Sequence, residues 1–304
     1  MKRIAIIGAG ELGSALFEVL KGKSDAALWD VDATKIPDMK PLREIVSSAD
    51  MVFCAVPSFA MRAAVGGFLP FIDANVTTVI SLAKGIEATT KKFTDEILKE
   101  LMPGGRWAVM GGPMLAAELA AGKECAAVFA SPASNDGAQS VFEGTNLRVE
   151  ISDDTHGVAV AGVLKNIYAV LMGIAAGLNV GEDETAWLAS RVMEEMIAVG
   201  AKLGARAETI CGTAGYADFL ATAYSNHSRN RNAGIALATD SPLLVKGEGV
   251  LSLPPLIELL GPFSAETAEG KAVAESLPLL SALADMVIKN QNPQEVFKNF
   301  FGQK

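Results

Sequence analysis

A chain of 304 residues, half of them hydrophobic and a fifth charged, is long enough to bury a sizeable core and suggests about two domains. Its net charge of −9 excludes the broadly basic face of a nucleic-acid binder. Cys54, Cys125 and Cys211 form no CxxC pair and no secretory signal is legible, so a reduced, cytoplasmic setting is expected. His156 and His227 have no further ligand at metal spacing, so no metal is expected.

The chain opens with KRIAIIGAGELGSALFEVL. Residues 3–7 follow the pattern of a short strand buried on both faces, and a helical pattern runs on through Leu20. Gly8, Gly10 and Gly13 then form a GxGxxG spacing in the strand–turn–helix context that gives it meaning. The first glycine permits the turn, the second admits a pyrophosphate to the backbone, and the third lets helix and strand pack closely. The phosphates would sit at the positive end of the helix dipole. A second strand, AALWD, ends at Asp30, 20 residues after Gly10. An acid there would hold the adenosine ribose hydroxyls and repel a 2′-phosphate, favouring NAD over NADP. Asp32 competes for that role, and the bland alternative is that Asp30 merely starts a turn.

Further strands are expected at 49–57, 76–85, 106–113, 125–131 and 147–152, alternating with helical stretches. That order predicts an α/β fold with a mostly parallel, doubly wound Rossmann-type sheet. Ligands in such sheets bind beyond the carboxyl ends of the strands, where AVPS, AKGIE and GGP all fall. Residues 30–49 leave room for only a stunted connection after the second strand, and SDDTHG (152–157) is a linker candidate. The domains are therefore expected at 1–153, dinucleotide-binding, and 154–304, all-helical.

From residue 157 the apolar-periodic segments run at about 157–178, 183–204, 215–223, 230–238, 254–260 and 274–289. The first is membrane-like, but Lys165 and Asn166 interrupt it and only 12 uninterrupted residues (167–178) follow. A span needs about 20, so a buried helix is expected and no membrane insertion. Lys165 and Asn166 either snorkel to water or line a catalytic site. Asp218, with Thr222 one turn on, is either a helix cap or a second polar feature of such a site. SNHSRNRNAG (225–234) offers Ser228, Arg229 and Asn230 at a helix start, which suits an anion and equally suits a solvated, capped loop.

The pieces IIGAGELGSAL, VFCAVPS, LAKGIE, GGPMLAAEL, GVLKN, GTAGYADFLAT, SRNRNAG and GEGV occur in one order along nearly the whole chain. In them the sequence resembles the NAD(P)-dependent glycerol-3-phosphate dehydrogenase family. The resemblance implies a Rossmann domain, a helical C-terminal domain and an active site between them. It implies hydride transfer between nicotinamide and carbon 2 of dihydroxyacetone phosphate or glycerol 3-phosphate, for phospholipid synthesis. It places catalysis on Lys165, with Lys84 and Asp218. The small phosphorylated substrate falls on Lys84, Gly112, Lys165, Asp218, Thr222, Ser228, Arg229 and Asn230. The cofactor falls on Gly8, Gly10, Glu11, Leu12, Gly13, Asp30, Pro57, Lys84, Ala116, Arg229 and Glu248.

Partial burial and Lys84 would lower the pKa of Lys165, while Asp218 would favour its charged form. The family pattern is altered in four places: Glu11 and Leu12 stand for serine and an aromatic, Met114 for serine, Ala159 for glutamate and Asp183 for asparagine. Two other readings are a dehydrogenase for another small phosphorylated ketone or hydroxy acid, and a non-catalytic NAD(H)-binding redox sensor. Retention of Lys84, Lys165, Asp218 and Arg229 together favours the enzyme. The apolar surface of 183–204 suits a homodimer.

Overall fold

The computed structural model describes residues 1–132, 137–239, 247–261 and 268–302. Contacts divide the chain into two compact units, residues 1–85 with 92–159, and residues 86–91 with 160–304.

In the first unit the strands are β1 (Arg3–Ile7), β2 (Asp25–Trp29), β3 (Met51–Cys54), β4 (Thr78–Ser81), β5 (Trp107–Gly111), β6 (Cys125–Ala130) and β7 (Leu147–Ser152). They form one sheet in the order β2-β1-β3-β4-β5-β6-β7. Every pairing is parallel except β5 with β6. Strands β3, β4 and β5 are buried along their whole length, as expected of a sheet covered on both faces; β3 and β5 are apolar throughout, and β4 buries Thr78 and Ser81 beside Val79 and Ile80. The edge strand β7 instead carries Arg148 and Glu150 on exposed positions, which discourages pairing with another chain.

The covering helices are α1 (Glu11–Leu20), α2 (Leu42–Ser47), α3 (Met61–Phe68), α4 (Thr94–Leu101), α5 (Ala116–Ala120) and α6 (Ala138–Phe142). The connection after β2 is stunted as expected: one 3-10 turn, Ala33–Lys35, and the six-residue α2. Met114, read as a departure from the family at a position that can face a ligand, packs into the hydrophobic core with Ala15, Leu16 and Leu119.

Helix α7 (Thr155–Gly177) is 23 residues long and apolar enough to cross a membrane, but its most apolar window is wholly buried inside the protein. The helices that follow are α8 (Glu182–Lys202), α9 (Ala207–Cys211), α10 (Asp218–Tyr224), α11 (Arg229–Ala238), α12 (Glu248–Leu260), α13 (Ala268–Ser276), α14 (Pro278–Val287) and α15 (Pro293–Gly302). Helices α7 and α11 touch backbone to backbone. A Cβ on Gly234 would lie 2.0 Å from the Val170 carbonyl oxygen, so no larger residue fits there.

Two helical expectations shift. The run at 254–260 begins earlier, at Glu248, so Pro254 and Pro255 lie inside α12 rather than opening it. The earlier turn is held from outside the helix, by Asn230 on the Gly249 amide and by the Ile86 amide donating to Ser252 Oγ. The run at 274–289 is two helices, because Pro278 forces Leu277 out of helical geometry (φ −134°, ψ 63°).

Candidate active site

Strand β1 delivers the chain into the glycine-rich turn. Gly8 has φ +107°, open to glycine at little cost, and a Cβ there would lie 2.5 Å from the Ala55 carbonyl oxygen. A Cβ on Gly13 would lie 1.8 Å from the Gly8 carbonyl oxygen, so the third glycine sets the approach of α1 to the turn. Over Gly10 the space is open. Helix α1 starts directly after Gly10 with no side-chain cap, so its first amides are left to other partners. Glu11 is exposed and Leu12 half-buried in its first turn.

The turn borders a cavity of about 570 Å³ at the carboxyl ends of β1, β2 and β3, walled by Gly8, Gly10, Trp29, Asp30 and Pro57 among others. A glycine turn left uncovered, an uncapped helix start and a cleft at the strand ends together fit a dinucleotide. Asp30, not Asp32, belongs to this cavity. It is 6% exposed and accepts from the Ala9 amide at 2.7 Å and the Asp32 amide at 2.9 Å. Asp32 is exposed and caps the 3-10 turn by accepting from the Thr34 amide. The sequence reading missed a partner: Lys35 Nζ lies 3.0 and 3.1 Å from the two Asp30 oxygens. Burial opposes the charge on Asp30, but the amides of Asp32 and Ala9 and the Lys35 ammonium outweigh it and hold the carboxyl below its usual value.

Beyond β4 and β5, Lys84 Nζ donates to the Gly112 carbonyl at 2.8 Å, so two predicted substrate residues are joined. Gly112 is buried at φ +118°. Ala116 opens α5, half-buried.

In the second unit Lys165 does not snorkel. It is 7% exposed, and its ammonium lies 3.0 Å from Asp218 Oδ1 and donates to Thr222 Oγ1 at 2.8 Å. Thr222 in turn donates to Asp218 at 3.3 Å. Thr222 is one turn beyond Asp218 on α10, so both oxygens face α7 together. A π-helical turn at Thr213–Ala217 leads into Asp218, a feature often found where side-chain register serves a function.

The next cluster divides. Ser228 caps α11, accepting from the Arg231 amide at 3.2 Å, which is the capping alternative left open above. Arg229 is exposed in the first turn of α11. Asn230 is buried, donates to Asn166 Oδ1 at 2.7 Å and accepts from the Gly249 amide at 2.9 Å. Glu248, half-buried, is flanked by two glycines packed on this pair: a Cβ on Gly247 would strike Asn230 Oδ1, and one on Gly249 the Asn166 carbonyl oxygen. Among the described residues no group of three or more His, Cys, Asp or Glu is placed to hold a metal ion.

A Rossmann-type sheet with an open glycine turn, followed by a helical unit burying a lysine–aspartate pair, suits a nicotinamide-dependent dehydrogenase. Comparison with known proteins is more specific. The family profile described as NAD-dependent glycerol-3-phosphate dehydrogenase N-terminus matches residues 33–137, and that of the C-terminus matches residues 154–298. The chain is 33% identical over 334 residues to the glycerol-3-phosphate dehydrogenase (NAD(P)+) of Ectopseudomonas mendocina, covering 98% of this chain and 94% of that one. It is 30% identical over 320 residues to the enzyme of the same name from Azotobacter vinelandii, covering 97% and 93%. The crystal structure of glycerol-3-phosphate dehydrogenase from Coxiella burnetii superposes with a TM-score of 0.84 at 27% identity, covering 99% of this chain and 98% of that one. The chain belongs to the NAD-dependent glycerol-3-phosphate dehydrogenase family.

Proposed function

We propose that this chain interconverts dihydroxyacetone phosphate and sn-glycerol 3-phosphate with NAD(H) or NADP(H), supplying glycerol phosphate for glycerophospholipid synthesis. The buried Lys165–Thr222–Asp218 cluster, in a chain of this family, carries the reading. When bound, the nicotinamide cofactor gives or takes the hydride at carbon 2. Lys165 handles the proton: its ammonium protonates the ketone oxygen as hydride arrives, and the neutral amine removes the alcohol proton in reverse. Asp218 and Thr222 hold the Lys165 amine in one orientation, which shortens the search for a productive geometry.

Arg229 offers a bidentate guanidinium to the substrate phosphate, and the first turn of α11 adds positive potential. That grip is remote from the reacting carbon and serves to orient it. Lys84 and Gly112 are assigned further contacts to the substrate. Gly8, Gly10, Glu11, Leu12, Gly13, Asp30, Pro57, Lys84 and Ala116, with Arg229 and Glu248, are assigned to the cofactor. On this reading residues 1–153 are the dinucleotide-binding domain and residues 154–304 the substrate domain of a cytoplasmic homodimer that neither binds nucleic acid nor inserts into membranes.

Absorbance of NADH and NADPH with dihydroxyacetone phosphate tests it, beside unphosphorylated dihydroxyacetone and the Lys165→Ala variant. Turnover that needs both the phosphate and Lys165 supports the reading. Tight NADH binding with no oxidation by either ketone overturns it.

A further inference from the structure

Asp30 and Lys35 are the charged side chains among those lining the cavity at the ends of β1, β2 and β3; the other lining residues are apolar, apart from the backbone of the glycine turn. Each Asp30 oxygen accepts one backbone amide, from Asp32 on one side and Ala9 on the other, and each also faces the Lys35 ammonium. A lone buried carboxylate at this position repels a cofactor that carries a 2′-phosphate. Here the pair is close to neutral, and its cationic member is the solvent-exposed one. The Lys35 side chain is 44% exposed against 7% for Asp30. It stands on the last residue of the short turn Ala33–Lys35, on a flexible four-carbon stem with three donors.

We propose that Lys35 is the residue that lets this chain accept NADP(H) beside NAD(H). With the unphosphorylated cofactor, the ribose hydroxyls share Asp30 with Lys35. With the phosphorylated one, the ammonium turns from Asp30 to the 2′-phosphate and cancels its charge, while the two backbone amides continue to hold Asp30. The inference rests on the dinucleotide reading of the cavity, and direct binding separates the two.

Nicotinamide fluorescence on titration of NADH and NADPH into wild type, Lys35→Ala, Lys35→Arg and the double variant Asp30→Asn/Lys35→Ala provides the test. Loss of a charge-assisted contact predicts that Lys35→Ala weakens NADPH on the order of tenfold to a hundredfold, and NADH by less than about threefold on the same basis, since no charged contact to NADH is lost. Lys35→Arg should retain NADPH binding. The NADPH affinity of wild type should also fall more steeply with salt than that of NADH, and Lys35→Ala should remove the difference. An unchanged ratio of the two affinities in Lys35→Ala overturns the proposal. So does full recovery of NADPH binding in the double variant, which would mean that neutralising Asp30 suffices without any contact from Lys35. If wild type binds neither cofactor, the reading of the cavity itself fails.

Discussion

Asn230 donates its side-chain amide to Asn166 across 2.7 Å, and both residues are buried. Because Asn166 adjoins Lys165 on α7, Asn230 lies at the start of α11 and Gly249 at the start of α12, one amide side chain ties three helix segments together. Asn230 is thereby committed to the protein as much as to any ligand.

Replacing Asn230 with alanine removes the acceptor of the buried Gly249 amide and one donor to Asn166 Oδ1. A buried polar group without a partner costs about 1–3 kcal/mol, so the urea midpoint should fall visibly. Asn230→Asp keeps the acceptor for Gly249 but sets an oxygen against Asn166 Oδ1, and should be no better. A variant that keeps its urea midpoint while losing only affinity for the phosphorylated substrate would show instead that Asn230 acts purely as a ligand contact.

The Lys165 cluster bears on both chemistry and stability, because removing either member of the buried Lys165–Asp218 pair leaves the other without its counter-charge. Lys165→Ala should reduce kcat by about 10²- to 10⁴-fold, the usual worth of a positioned proton donor. Asp218→Asn leaves a buried ammonium without its counter-charge. Breaking such a pair costs about 3–5 kcal/mol, so this variant should unfold earlier as well as slow. Steady-state kinetics beside chemical denaturation checks both, and near-wild-type kcat in Lys165→Ala refutes its role.

The glycine turn predicts opposite behaviour at two neighbouring positions. Gly13→Ala drives a methyl into the Gly8 carbonyl and should disrupt the seating of α1, lowering thermal stability. Gly10→Ala meets nothing within the protein and should fold normally. If the open space over Gly10 receives the pyrophosphate, the same substitution should abolish NADH binding. Melting curves and NADH titration of the two variants distinguish these outcomes.

Two glutamates should give stability slopes of opposite sign with pH. Burial raises the pKa of Glu195, and the amides of Leu279 and Leu280 with the Tyr168 hydroxyl offset this only in part. Its folded pKa lies above the unfolded value, so stability linked to it is full below the unfolded value and is lost as pH rises through the folded one. Glu195→Gln should flatten that decline. Glu100 is held down to about 2 by hydrogen bonds from Arg62 and Lys92. Its contribution is present above the ordinary glutamate value of 4.5 and is lost as pH falls toward about 2. Urea midpoints from pH 3 to 8 on wild type, Glu195→Gln and Glu100→Gln read both slopes, and identical slopes in all three proteins would refute them.

Strand β1 and the glycine turn were legible because their determinants are local: an apolar run, then glycines at fixed spacing. The reversal of β6 against β5 was not legible, since strand direction is decided by distant pairing rather than by the sequence of the strand. Glu195 had a faint signal. It lies on the same face of α8 as Leu188, Val192, Met196 and Val199, an acid in an apolar stripe. Its task of holding the start of α14 depends on a contact across the helical unit. The family motifs made Lys165, Asp218 and Thr222 legible as a group, and the structure adds that they touch. Lys35 belongs to no motif, and only its distance from Asp30 reveals it.

Several of the residues that bury α7, among them Glu195, Gly234 and Gly249, are synthesised after it. For that interval the nascent chain carries a segment whose most apolar window has a mean hydropathy of 1.8, enough by length and composition to cross a membrane. Lysine at the centre of a span costs about 2.5–3.5 kcal/mol to insert, and Lys165 stands near the middle of Thr155–Gly177. On the proposed function, the charge that would move the proton also raises the cost of placing α7 in a bilayer. Lys165→Leu should then do more than silence the site: part of the newly made protein should sediment with membranes.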